Sequence, residues 1–150
     1  MGSTSFTAVL AEHRNEITFE QDENADSCPV LVVEPDRVQS GAEVLLFLYN
    51  LKDRRKMIEK FYVRSWNVVV PKIVVDAIMD SIDEIFSGFN PNDLMPQLQS
   101  LATQIFQNSS RGLTTHQSMT IKEYCSSFTG RNFRWEALGN LFTLCGQQLV

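Results

Sequence analysis

The sequence predicts an all-α domain of about five to six helices in an irregular array, behind an acidic N-terminal leader that is disordered or extended. Three observations carry this expectation. Apolar residues recur three and four positions apart in several separate segments after residue 38, the spacing that lines one face of a helix. Residues with N-cap chemistry stand ahead of those segments, and Gly or Asn-Ser stretches follow them. The one β-prone run, Pro29 to Val33, finds no partner strand in the remaining sequence, so an extended tail packed on helices is expected of it.

A chain of 150 residues with 43% apolar content is the size of one domain around one core. Its apolar runs, such as Val30 to Val33 and Val68 to Pro71, fall well short of the roughly 18 residues of a membrane span. Met1 to Leu10 has no basic region ahead of an apolar stretch, so no secretory signal is read there and a reducing compartment is expected. Cys28, Cys125 and Cys145 are odd in number and widely spaced, which fits free thiols. The net charge of -5 belongs to the leader: eight acidic residues face two basic ones through Arg37. The remainder is nearly neutral, with 11 basic and 10 acidic residues. Phosphate binding needs clustered, surplus Lys and Arg, so direct DNA binding by this chain alone is not expected.

Residues 1–37 form the leader, with a polar Glu20 to Ser27 centre. Its composition reads as a solvated linker; scattered Phe6, Ile17 and Phe19 leave open an activation segment. The first helix is expected to be capped by Ser40, with Glu43 completing a capping box and Val44, Leu45, Leu48 and Leu51 forming its stripe. Asp53 is the expected cap of a second helix that turns Met57, Ile58, Phe61, Tyr62 and Ser65 inward, with Trp66 closing its contact with the core. Val68 to Val70 should be extended ahead of a proline, and Pro71 suits the first position of a third helix.

That third helix carries Val74, Ala77, Ile78, Ile82, Ile85 and Phe86 inward, carries Asp76, Asp80, Asp83 and Glu84 outward, and stops at Gly88. After the Asn90 to Asp93 turn, Leu94, Leu98, Leu101 and Ile105 mark a fourth helix that ends in Asn108 to Gly112. Thr120 and Glu123 form a capping box for a short helix through Cys125. A Thr129-Gly130 turn then leads to the last helix. Leu138, Phe142, Cys145 and Leu149 form its stripe, broadened by Leu141 and Leu144. Asn132 is its expected N-cap, and Glu136 complements its dipole. Glycine inside a helix costs roughly 1 kcal/mol relative to alanine, so Gly139 is expected to touch a neighbouring backbone.

The run Thr129-Gly130-Arg131-Asn132-Phe133-Arg134-Trp135-Glu136-Ala137-Leu138-Gly139-Asn140-Leu141-Phe142 resembles a signature of the middle homology region of fungal zinc-cluster transcription factors. There a loop ending in Asn leads into an Arg-Trp-Glu helix followed by Gly and an aromatic. Gln39 to Tyr49, Ile58 to Tyr62 and Val69 to Pro71 are similar to the opening of the same domain, so the resemblance spans about residues 38–150. It implies an all-α regulatory domain, acting in the nucleus on transcription, in which Asn132, Arg134, Trp135, Glu136, Gly139 and Phe142 are structural signature residues. Domains of this family usually continue well past the Arg-Trp-Glu helix, so the chain is expected to be the N-terminal part of one. Apolar surface left uncovered would then favour self-association or a protein partner. A small-molecule effector is also conceivable from the resemblance.

The family's zinc cluster needs six closely spaced thiolates. This chain has three cysteines and no Cys-x-x-Cys pair, so no cofactor is expected in it, and zinc belongs to the absent DNA-binding module. Lys52 to Lys56 place a basic cluster where family members often carry proline. A solvated helix start is expected, with a nuclear-import or DNA-contacting patch as the alternative.

Other chemistry is thinly represented. His116 and Cys125 form a thiol-base pair only if they lie within hydrogen-bond reach, and the default for such a cysteine is a small buried hydrophobe. His13 has no partner at metal-ligand spacing. Asp80, Asp83 and Glu84 read as a surface acidic face. Arg134 and Glu136 flank an aromatic and suit a structural hydrogen-bonded network. No catalytic residue is assigned. The alternatives to a transcriptional regulator are a helical interaction module unrelated to transcription and, behind it, a small enzyme.

Overall fold

A computed structural model describes residues 32–65 and 69–146. The architecture is all-α, with six helices and two short 3-10 turns and no strand among the described residues. Most of the leader, with His13 and Cys28, lies outside them, as do Trp66 and Leu149. Of the β-prone run, Pro29 to Leu31 lie outside the described residues, Val32 is exposed and Val33 is half-buried.

Helix α1 spans Pro35–Asn50. It begins five residues before the expected cap, because Pro35 holds the helical φ at the first position and Glu34 supplies the extended N-cap backbone. Ser40 is therefore mid-helix, and its hydroxyl donates to the Asp36 carbonyl at 2.9 Å. Glu43 accepts from Gln39 at 2.9 Å and completes no capping box. The buried face is Gly41, Ala42, Leu45 and Leu48, while Val44 is exposed. Helix α2 spans Arg54–Arg64 and buries Ile58 and Phe61. Asp53 occupies its N-cap position without a capping hydrogen bond and pairs with Lys56 at 2.9 Å.

Helix α3, Lys72–Ser87, has Pro71 one residue outside it as the N-cap. The Lys72 ammonium bridges Asp76 at 2.8 Å and Glu59 of α2 at 2.9 Å, and these carboxylates push its pKa up to about 12, Asp76 foremost. Val74, Ile78, Ile82 and Phe86 are buried as expected, and Val75, Met79 and Ser81 are buried with them. The wider apolar arc follows from α3 having α5 and α6 as neighbours. Gly88 stops the helix in an ordinary right-handed conformation. The Pro91–Asp93 turn, with Asn90 Oδ1 accepting from the Asn92 amide at 3.0 Å, feeds α4, Leu94–Ser109.

Helices α1 and α4 form the most extensive pairing, through Leu98, Leu101, Ala102 and Ile105 on the α4 side. Helix α5, Ile121–Ser126, opens with the capping box expected of Thr120 and Glu123. Helix α6, Trp135–Gly146, packs on α2, α3 and α4 and buries Ala137, Leu138, Leu141, Leu144 and Cys145. The core thus converges on the last helix, the element richest in apolar residues that face more than one neighbour.

Candidate functional site

The approach to α6 is set by one turn. Gly130 has φ +59°, a left-handed conformation that glycine adopts without a Cβ clash, and its amide donates to the buried Ser81 hydroxyl at 2.7 Å. This explains Ser81 in the apolar arc of α3: the hydroxyl has a main-chain partner. The following 3-10 turn, Gly130–Asn132, holds Asn132 too early to cap α6. Its side-chain amide donates instead to the Ser126 carbonyl at 3.0 Å, at the end of α5. Phe133 then drops fully into the core.

Arg134 is the pivot. It is only 8% exposed, and its guanidinium donates to the carbonyls of Asn108 at 2.7 Å, Ser109 at 3.3 Å and Arg111 at 2.8 Å. These carbonyls belong to the end of α4 and the residues just after it, where helices leave acceptors without intrahelical donors. A planar cation with several fixed N–H groups suits such a cluster and the negative end of the helix dipole. The same Nη2 reaches Glu136 Oε1 at 3.0 Å. Asn108 answers in the other direction, its side-chain amide donating to the carbonyls of Arg131 at 2.8 Å and Phe133 at 2.9 Å. The Trp135 amide donates to Ser109 Oγ at 2.9 Å. The network expected around Arg134 and Glu136 is present, and its purpose is to tie α6 to the carboxyl end of α4.

Trp135 packs its ring 5.0 Å from that of Phe106, and its indole N–H is buried with no acceptor among the described residues. Phe142 is half-buried and lies against Phe47 of α1, with ring centroids 6.2 Å apart. Gly139 departs from the expectation. It is exposed, and a Cβ there would meet nothing within 4 Å, so nothing in the structure explains that glycine. The close approach belongs to Gly41, where a Cβ would lie 3.0 Å from both the Phe106 and Trp135 rings and 3.1 Å from Ala102.

In the basic cluster Lys52, Arg55 and Lys56 are exposed, as expected of a solvated helix start, and Arg54 turns inward. Arg54, with a side chain 14% exposed, donates to the carbonyls at the end of α1, Leu51 at 3.1 Å and Leu48 at 3.4 Å, and also pairs with Asp83. Arg55 bonds Asp83 at 2.8 Å and Asp80 at 2.7 Å, so two carboxylates of the surface acidic face of α3 are also partners of α2. Arg54 is thus no solvated helix start. Like Arg134, it closes the carboxyl end of a helix; the Arg54 carbonyls lie three and six residues before it, whereas those of Arg134 lie 23 to 26 residues away, beyond any local spacing.

An apolar cleft of about 350 Å³ opens beside this network. Val74 and Ile78 of α3, Phe128 and Ala137 form its floor, Val69, Leu113, Ile121 and Tyr124 its rim, and Arg134, Glu136 and Asn140 its polar end. The Arg134 guanidinium holds the Glu136 carboxyl below its ordinary value. The resulting stabilisation is complete above about pH 4.5 and is lost as pH falls through the lower folded-state value. Because the Glu136 side chain is 63% exposed, solvent screening limits the effect to less than about 1 kcal/mol. Urea titrations from pH 6 to about pH 3 should show that Glu136→Gln removes this small acid-dependent loss.

His116 is exposed and shares a 2.9 Å contact with Ser118 Oγ, with no hydrogen bond to Cys125. Cys125 and Cys145 are buried free thiols, and burial pushes both up in pKa. No group of three or more His, Cys, Asp or Glu residues that could hold a metal ion occurs among the described residues. No described helix is long and apolar enough to cross a membrane. Compared with known proteins, the chain matches no protein-family model, no curated protein and no solved structure.

Proposed function

We propose that the chain is a helical regulatory domain that works through protein contacts in the control of transcription in a fungal nucleus. The observation supporting a contact role is the apolar strip on the outer side of α1, where Val44 and the 54%-exposed Phe47 lie one turn apart with Phe142 against Phe47. Such a strip offers rings and aliphatic groups to a partner or to a second copy of the chain. The transcriptional part of the reading is supported by the resemblance of residues 38–150 to the fungal middle homology region.

The test is to tether the full chain to a heterologous sequence-specific DNA-binding domain in a fungal host carrying a reporter gene. The reading expects reporter output to change at least about fivefold in either direction, with the change lost on Phe47→Asp at matched protein level. An unchanged reporter, with the fusion shown to occupy its site, contradicts the transcriptional reading. Capture of a partner through the Phe47 strip under those conditions favours a scaffold outside transcription.

A further inference from the structure

We propose that the cleft between α3, α5 and α6 is a binding site for a small apolar amine. This assignment goes beyond the regulatory reading and stands or falls separately from it. The volume, about 350 Å³, lies within the range of small-molecule sites, which are mostly apolar with a few convergent polar groups. Four large apolar side chains that are exposed despite ample core nearby, Val69, Leu113, Ile121 and Tyr124, all stand on this one rim. They come from the segment before α3, the segment after α4 and helix α5, so no single helical stripe explains their gathering.

The polar end selects the head group. Arg134 and Glu136 are the charged residues lining the cleft. The Arg134 Nη1 and Nη2 groups are turned to the carbonyls of Asn108, Ser109 and Arg111, which hold the guanidinium in place at the carboxyl end of α4 and away from a role as the main anchor of an acidic ligand. Glu136 has only one carboxylate oxygen engaged by Arg134 and its side chain reaches solvent, leaving acceptor capacity for an ammonium. Asn140, one turn further along α6, adds an amide carbonyl on the same lining. Tyr124 and Phe128, edge to face with ring centroids 5.1 Å apart, supply aromatic surface that also favours a cation.

Three probes with the same body and different heads test the assignment: phenethylamine, phenethyl alcohol and 3-phenylpropionate. Each is titrated into the isotope-labelled full chain while the methyl resonances of Val74, Ile78 and Ala137 are followed. The amine should give saturable shifts at these methyls and bind at least about tenfold more tightly than the carboxylate, with the alcohol between them. Glu136→Gln keeps an acceptor for Arg134 and should reduce that preference to about threefold or less. Asn140→Trp, at an exposed helical position, should abolish saturable binding by covering the mouth. Equal or reversed head-group order, shifts confined to methyls elsewhere, or no saturation by phenethylamine up to about 10 mM would overturn the proposal.

Discussion

Replacing Arg134 with Ala is expected to destabilise the domain by about 3 kcal/mol, lowering the thermal midpoint by roughly 10 °C. The guanidinium is buried and donates to three main-chain carbonyls at and beyond the carboxyl end of α4. Its removal leaves these acceptors without a donor, and a hydrogen bond to a charged group contributes about 1.5–3 kcal/mol before water enters the vacated space. Arg134→Lys should recover less than half of the loss, because a single ammonium cannot span carbonyls set by a planar fork. Arg134→Met separates packing from hydrogen bonding: it restores apolar volume and should remain about as unstable as Ala. If Met recovered full stability, the side chain would matter as filler and the capping account would be wrong. Urea unfolding of the four proteins provides the comparison.

Two helical glycines should respond to substitution with opposite signs. At Gly41 even a methyl group meets two rings at 3.0 Å and Ala102 at 3.1 Å. Gly41→Ala should lose about 1 kcal/mol, the crowding exceeding the helix-propensity gain of similar size, and Gly41→Val about 3 kcal/mol, with its branched side chain forced into the α1–α4 seam. Gly139 faces open space, so Gly139→Ala should stabilise by about 1 kcal/mol. The difference between the two alanine variants, about 2 kcal/mol, is well within the reach of chemical denaturation. Equal effects at both positions would mean that α1 and α4 do not approach as closely as described.

These two glycines show where the sequence was readable. Gly139 interrupts an apolar helix, so propensity flagged it, yet propensity knows nothing of neighbours, and the neighbour is absent. Gly41 lies in a stretch read as the first turn after a cap, where a glycine draws no notice. The signal that would have placed it mid-helix was Pro35, suited to a first helical position and preceded by an acidic residue. The Ser40–Glu43 spacing satisfies the capping-box pattern equally well inside a helix, where the serine bonds back to residue 36. The Thr120–Glu123 box was read correctly because a polar loop precedes it and leaves the helix no room to extend upstream.

Periodicity recovered α4 because it shows one strong face to α1, and it underestimated α3, which has both α5 and α6 as neighbours and buries Val75 and Met79 as well as the expected stripe. The Arg134 cap was illegible for a different reason. Arg134 lies 23 to 26 residues from the carbonyls it binds, and no pattern of residue types marks a bare main-chain acceptor. The cleft was equally hidden: Leu113, Ile121 and Tyr124 belong to no apolar stripe that spacing marks, and only the fold brings them beside Val74 and Ala137.

The most direct measurement of the central claim, that α6 is clasped to the carboxyl end of α4 and covered by α1, is the set of nuclear Overhauser contacts made by the Trp135 ring in the full chain. The account predicts cross-peaks from that ring to the Gly41 α-protons and the Phe106 ring, together with slow exchange of the Trp135 amide held by Ser109. A Trp135 ring with only water and sequential neighbours around it, and an amide that exchanges at the unprotected rate, would contradict the account.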